Sequence, residues 1–188
     1  MCYTIIGEEK SNKLEDVVFK YARLFETTYS DDLLEGFADS LKQKIPGFEW
    51  FMNAFKNIGW SNHHELYKGD KNKNRVQIIL EVIEKYVSQT QHIALFSVEH
   101  ILPDSEKIEN SQIGNLIPLE EALNKRCGVK TIDEKIPIYK ESTFRSTRNV
   151  AERYERQNFE PDKRTEYMAK LLYNNILALN QFDFSKEL

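Results

Sequence analysis

Gln91-His92-Ile93-Ala94-Leu95-Phe96-Ser97-Val98-Glu99-His100-Ile101-Leu102-Pro103 is the stretch in which the chain changes its period. Before it, apolar residues recur at the three- and four-residue spacing of a helix face. Within it, residues 93–98 are apolar almost without interruption. That run is too short for a buried helix, and Pro103 prevents one from continuing across it. A buried strand over 93–98 is expected, ending on an acid and a histidine. Residues 105–112 are polar and suit a loop. Asn115-Leu116-Ile117-Pro118-Leu119 reads as a short partner strand, which Pro118 confines to an edge. Residues 120–127 then read as a short helix, with acids in the first turn, bases in the last and Gly128 as its stop. Strand, loop, strand, short helix is a ββα unit.

Helices surround this unit. Leu14, Val17, Val18, Tyr21, Leu24 and Phe25 share one face of a helix over 13–28, for which Ser11 or Asn12 is the expected cap. Ser30 starts a second helix, which Pro46 stops, and the aromatic stretch 48–55 makes a third, closing near Gly59. Trp50, Phe51, Phe55 and Trp60 read as core rather than as a surface for stacking bases. Residues 61–73 read as a polar loop; its His63-His64 pair lacks a third metal ligand at a sensible spacing. Helices are expected over 73–88, 132–139, 147–156 and 161–179, and a short β-like segment over 1–7. The fold class is therefore α+β and mostly α. A helical region over 1–72, with scope for docking a partner, precedes a domain over 73–188 that carries the ββα unit.

The composition excludes several classes. With 188 residues, 40% of them hydrophobic, the chain can build a substantial core. Seven Gly and five Pro suit helices better than a loop-rich β protein. The net charge of −4 provides no global attraction to nucleic acid, so the local distribution of charge must decide. Cys2 and Cys127 form no Cys-x-x-Cys motif, which argues against a zinc ribbon and for free thiols in a reducing compartment. No apolar run approaches the roughly 20 residues that span a bilayer, and the N-terminus lacks the features of a signal peptide. A cytoplasmic protein without a membrane segment is the expectation.

The chemistry suggested by the opening stretch is phosphodiester hydrolysis. That reaction needs a water, a base to deprotonate it, and positive charge against the phosphate oxygens. Neutral histidine suits the base, and His100 is the candidate. A hard divalent cation takes carboxylate and amide oxygens, and Glu99 with Asn124 supplies such a pair. Asn115 is placed to fix the imidazole or the loop that carries it. Neighbours in a regular strand point to opposite faces, so this reading requires the backbone to turn at His100. Cys127 with His100 as a thiol nucleophile pair is a weaker reading, since Cys127 has no recognisable orienting third group.

Glu99-His100-Ile101-Leu102-Pro103, Gly114-Asn115-Leu116 and Leu123-Asn124, followed by Lys135, Tyr139 and Ser142, resemble the C-terminal HNH nuclease domain of GmrSD-type modification-dependent restriction endonucleases. The spacing is also similar to that of the HNH domain of CRISPR effector nucleases. The resemblance covers roughly residues 75–179. It implies a ββα-metal fold and a metal-dependent endonuclease acting on DNA, in defence against foreign or phage DNA. His100 would be the general base, Glu99 and Asn124 ligands to Mg²⁺ (or Mn²⁺), and Asn115 the orienting residue.

A basic segment follows the ββα unit. Lys125, Arg126, Lys130 and Lys135 lie nearest the candidate site, and Arg145 with Arg148 extend the track; all six are candidate phosphate contacts. Others in the segment read as solvated helix faces paired with acids. The chain has no Walker-type Gly-rich loop, so an NTPase or modification-sensing function would come from another domain or subunit. Two rivals remain: a degenerate HNH fold that holds nucleic acid without cutting it, and a helical scaffold subunit of an NTPase–nuclease complex.

Overall fold

The computed structural model describes residues 1–7 and 12–182, and the chain divides into two compact units: Met1–Phe55 with Tyr173–Leu188, and Lys56–Leu172. The division differs from the boundary read at residue 73, because Gly59 and Ser61 are built into the second unit. Gly59 bridges to Gln112, and the Trp60 N–H donates to Ser111 O at 2.8 Å.

In the first unit, the segment expected to be β-like is a π-helical turn, Cys2–Ile6. Its N–H groups close locally, those of Ile5 and Ile6 donating to Met1 O. Helix α1 (Asn12–Thr27) carries Tyr21, which meets Phe37 of α2 (Asp31–Lys42) at 5.1 Å between ring centroids. Ser11 lies outside the described residues. Ser30 caps α2 as expected, accepting from the Leu33 N–H at 3.1 Å. In α3 (Phe48–Lys56), Phe51 and Phe55 are fully buried and stack on each other, and Tyr173 packs edge-on against Phe51. Phe51 and Phe55 are core, as their helical spacing indicates, whereas Trp50 and Trp60, expected to be core with them, are only partly buried.

The second unit is built on a two-stranded antiparallel sheet of β1 (Ser97–His100) and β2 (Leu116–Leu119). Strand β1 begins four residues later than the apolar run suggests. Its register, Ser97↔Leu119 to His100↔Leu116, uses all four residues of β2 and leaves no partner for 93–96; Leu95 is 99% exposed. Paired residues of antiparallel strands point to the same face. Ser97, Glu99, Ile117 and Leu119 therefore share one face, and Val98, His100, Leu116 and Pro118 share the other.

Helices α5 (Glu121–Cys127), α6 (Ile132–Lys140) and α7 (Arg145–Tyr154) complete a core in which Ile117, Leu119, Cys127, Ile136, Tyr139 and Val150 pack together. Helix α4 (Asp70–Ser88) also packs on β2. Its buried Glu84 accepts the Arg145 and Ser146 N–H groups, both at 2.8 Å, so a carboxylate from α4 sits at the N-terminus of α7 and satisfies its free donors. Helix α8 (Pro161–Lys170) lies against the segment before β2. The strand–loop–strand–helix order expected from the sequence is present.

Candidate functional site

Strand β1 stays regular to its last residue. His100 pairs with Leu116, and the chain bends only at Ile101 and Leu102. The turn at His100 that would place both side chains on one face does not occur. Glu99 and His100 instead enter two separate sets of partners.

On the Glu99 face the set is buried and ionic. Glu99 is 5% exposed and Lys135 is 1% exposed. Lys135 Nζ lies 2.8 Å from Glu99 Oε1, and the Tyr139 hydroxyl donates to the same oxygen at 3.1 Å. Lys135 also donates to His100 O at 2.6 Å and to Ile101 O at 3.2 Å. Burial pushes the Glu99 carboxyl above the ordinary carboxylate range, against the opposing pull of Lys135 and the Tyr139 hydrogen bond. Asn124, on α5, donates through Nδ2 to Ser97 Oγ at 2.9 Å and to Val98 O at 3.3 Å. Val98 O and His100 O lie on the edge of β1 turned away from β2. Asn124 and Lys135 thus satisfy carbonyls that an open edge would leave unpaired.

On the other face, His100 Nε2 lies 2.8 Å from Trp60 O. A carbonyl only accepts, so Nε2 carries the proton and Nδ1 holds the lone pair of the neutral ring. The ring stacks on Trp60, with centroids 5.4 Å apart. Burial pushes the His100 pKa below its ordinary value, against the raising effects of the Trp60 carbonyl and Asp104. Asp104 Oδ2 is 3.7 Å from His100 Nε2 and accepts from Ser61 Oγ at 2.6 Å. His63 Nε2 stands 3.8 Å from Asp104 Oδ1, and His64 Nε2 is 2.6 Å from Asp104 O. The histidine pair read as part of a solvated loop is anchored on Asp104, His63 facing its carboxylate and His64 bonding its backbone carbonyl. Trp60, Ser61, His63 and Asp104 were not singled out as site residues from the sequence. The His63-His64 pair was a visible signal, but its partner stands some forty residues away.

Asn115 is fully buried between the two strands' connecting segments. Its Oδ1 accepts from the Leu102 N–H at 2.8 Å, and its Nδ2 donates to Leu102 O at 2.7 Å and Asn110 O at 2.6 Å. It fixes the loop that follows His100 rather than the imidazole itself. The neighbouring Gly114 is required by space, since an added Cβ would fall 2.1 Å from Pro161 O and from Thr165 Oγ1. Buried Arg164 closes the same segment from below, donating to Gly114 O and Leu116 O at 2.8 and 2.9 Å.

The cations divide sharply. Lys135 is enclosed and cannot reach a phosphate, which corrects its reading as a nucleic-acid contact: a Lys at this position neutralises Glu99 instead. Arg126 makes a two-pronged pair with Glu141 at 2.6 and 2.7 Å, Lys125 pairs with Glu121 at 2.6 Å, and Lys130 donates to Arg126 O. These three remain on the surface. Arg148 donates to Ser142 O, while Arg145 keeps an exposed side chain. Cys127 is fully buried, and burial raises its thiol to about 11, which removes it as a nucleophile at neutral pH.

Among the described residues, no three His, Cys, Asp or Glu side chains form a group able to hold a metal ion. A carboxylate and an amide are the donor types a hard cation takes, but here they are engaged within the protein. The Glu99 carboxylate and the Asn124 amide lie on the same face of β1, Asn124 turns only its nitrogen inward, and a buried carboxyl with a raised pKa gains from added positive charge. Lys135 already supplies that charge inside an enclosed group, so the residues present do not make a site for a hydrated ion.

Among the described residues, no helix is long and apolar enough to cross a membrane. No curated protein and no solved structure matches the chain. A family model does, over residues 61–171, which start at the buried Ser61 under Asp104 and end one residue short of the limit of the second unit. The chain belongs to the family of the C-terminal domain of GmrSD restriction endonucleases.

Proposed function

We propose that the second unit is an HNH-type endonuclease that hydrolyses phosphodiester bonds in DNA, with a role in defence against foreign or phage DNA. The observation that carries this reading is the hydrogen bond from His100 Nε2–H to Trp60 O. It leaves Nδ1 as the free base of a neutral ring, at the point where β1 ends and the chain turns away. Nδ1 takes the proton of a water as that water's oxygen bonds to phosphorus and the bond to the leaving sugar oxygen breaks. A lowered His100 pKa keeps the ring unprotonated and ready to act. Asn115 holds the Leu102 backbone, and Lys135 holds the His100 and Ile101 carbonyls; together they fix the segment that presents the imidazole.

Glu99 and Asn124 are the residues that would hold Mg²⁺ or Mn²⁺, but Glu99 is enclosed on the face of β1 opposite His100, so no step is routed through an ion there. Lys125, Arg126, Lys130, Arg145 and Arg148 are the cations left for the DNA backbone. Four of them, all but Arg145, must exchange an intramolecular partner for a phosphate. Contacts of this kind position the duplex without reading its sequence. An NTPase or modification-sensing domain or subunit would provide target selection, and the first unit is the candidate for docking it.

A second reading, a nucleic-acid-binding module that no longer cuts, is favoured by one observation: the Glu99–Lys135 ion pair partly satisfies the carboxylate that a metal would need. Plasmid nicking with Mg²⁺ or Mn²⁺ separates the two. The nuclease reading expects wild type to nick and His100→Ala to lose on the order of 10²- to 10⁴-fold in rate, the usual contribution of a general base. Equal nicking by both proteins, or binding of DNA with no nicking under either metal, would overturn it.

A further inference from the structure

Two segments about forty residues apart in sequence are locked together beside the His100 ring, and their chemistry goes beyond packing. From one side come Trp60 O, Ser61 Oγ and the His63 and His64 rings; from the other come His100 and Asp104. Trp60 O accepts from His100 Nε2 at 2.8 Å, Ser61 Oγ donates to Asp104 Oδ2 at 2.6 Å, and His64 Nε2 donates to Asp104 O at 2.6 Å. Ser61 is fully buried, and its Oγ also accepts the His63 N–H at 2.9 Å. The Asp104 side chain is 13% exposed, and its two oxygens face one imidazole each, His100 at 3.7 Å and His63 at 3.8 Å.

We propose that Asp104, aimed by Ser61, is a positioning residue for His100: its carboxylate fixes the Nε2–H tautomer and the ring orientation that leave Nδ1 free. Both acceptors near the ring, the Trp60 carbonyl and the Asp104 carboxylate, lie on the Nε2 side. A tautomer or ring flip that put a lone pair there would set it against a carbonyl dipole and a negative charge together. The same charge stabilises the imidazolium that exists while Nδ1 holds the water's proton, without Asp104 touching water or phosphate. His63, on the far side of the carboxylate and more than half exposed, closes that side and leaves the ring of His100 as the buried partner. The catalytic part of this inference rests on the nuclease reading; the tautomer part stands without it.

Asp104→Asn removes the charge and keeps the shape. Two measurements follow on the full chain, with ring ¹⁵N signals assigned by loss in His100→Gln. In wild type, the His100 ring shows one neutral tautomer with Nε2 protonated. In Asp104→Asn, the signals move toward a tautomer mixture, and kcat for plasmid nicking falls by about 10- to 100-fold with KM unchanged, a share of the effect expected of a general base. An unchanged single tautomer together with an unchanged kcat overturns the inference while leaving the nuclease reading intact. A shifted tautomer in a wild-type background that does not nick supports the positioning and sinks the nuclease reading instead. If Asp104→Asn fails to fold, Ser61→Ala decides, since it leaves the charge but removes its aim. It should then broaden or shift the His100 signals, and an unchanged spectrum with unchanged kcat overturns the inference.

Discussion

The two faces of β1 do different work with adjacent residues. The Glu99 face is dry: carboxylate, ammonium and phenol are enclosed, and the ammonium also holds two backbone carbonyls. On the His100 face the ring is pinned at Nε2 and, among the described residues, nothing hydrogen-bonds Nδ1. The difference follows from the pleat, since a strand that stays paired to its end must send neighbours to opposite sides. It teaches that an acid–histidine pair in sequence need not be one constellation in space. Here the acid secures the strand, and the histidine enters a separate set of partners with Trp60 and Asp104.

The largest effect should come from breaking the dry face. Lys135→Ala leaves Glu99 as a buried carboxylate without its counter-charge and unpairs two carbonyls at the strand edge. Loss of one partner of a buried pair costs about 3–5 kcal/mol, so urea denaturation should show a fall of that order. Replacing both partners, with Glu99→Gln and Lys135→Met, should recover much of it, because two apolar or neutral groups need no compensation. If the single variant costs less than about 1 kcal/mol, the range for a surface pair, then the two faces do not differ as described.

A smaller effect is expected at the residue that joins the faces. Asn115→Ala deletes three hydrogen bonds to the loop after His100, leaving the partly buried Leu102 N–H without its acceptor and the buried Asn110 carbonyl without this donor. One buried unsatisfied group costs about 1–3 kcal/mol, and the thermal midpoint should drop accordingly. Because this loop follows the reacting histidine, nicking should fall further than the loss of folded protein accounts for. A loss of activity matched entirely by unfolding would make Asn115 a purely structural residue.

Much of this division was present in the sequence, and the part that was not is instructive. The ββα order and the short helix stopped by Gly128 followed from periodicity and turn chemistry, which are local, whereas Asn115, read from the site's chemistry as fixing the imidazole or its loop, holds the loop. The start of β1 did not, because an apolar run says that a segment can be a strand, whereas the four residues of β2 decide which part has a partner. Lys135 read as surface because lysines are rarely buried; only the fold places Glu99 beside it. Asp104 and His63 escaped for the same reason. His63 reaches this group only across some forty residues, beyond any spacing rule, whereas Asp104 stands four residues after His100 and is brought to the ring by the bend after β1 and the Ser61 hydrogen bond.

The smallest effect sharpens the comparison most, because the two faces should titrate with opposite sign. Burial raises the Glu99 pKa above its ordinary 4.5, so the folded chain holds that proton more tightly than the unfolded one. Its contribution to stability is present below pH 4.5 and is lost as pH rises through the raised value. Burial lowers the His100 pKa below its ordinary 6.5, so the unfolded chain takes the proton first. Its contribution is present above pH 6.5 and is lost as pH falls toward the lowered value. Stability changes with pH as the difference in protons bound by the two states, and other carboxylates add their own slopes. The faces are therefore isolated by subtraction: unfolding free energies of wild type minus Glu99→Gln, and of wild type minus His100→Gln, between pH 4.5 and 6.5. The first difference should shrink with rising pH and the second should grow. Two differences that run in the same direction would mean that Glu99 and His100 share one electrostatic environment after all, and that the strand does not separate them.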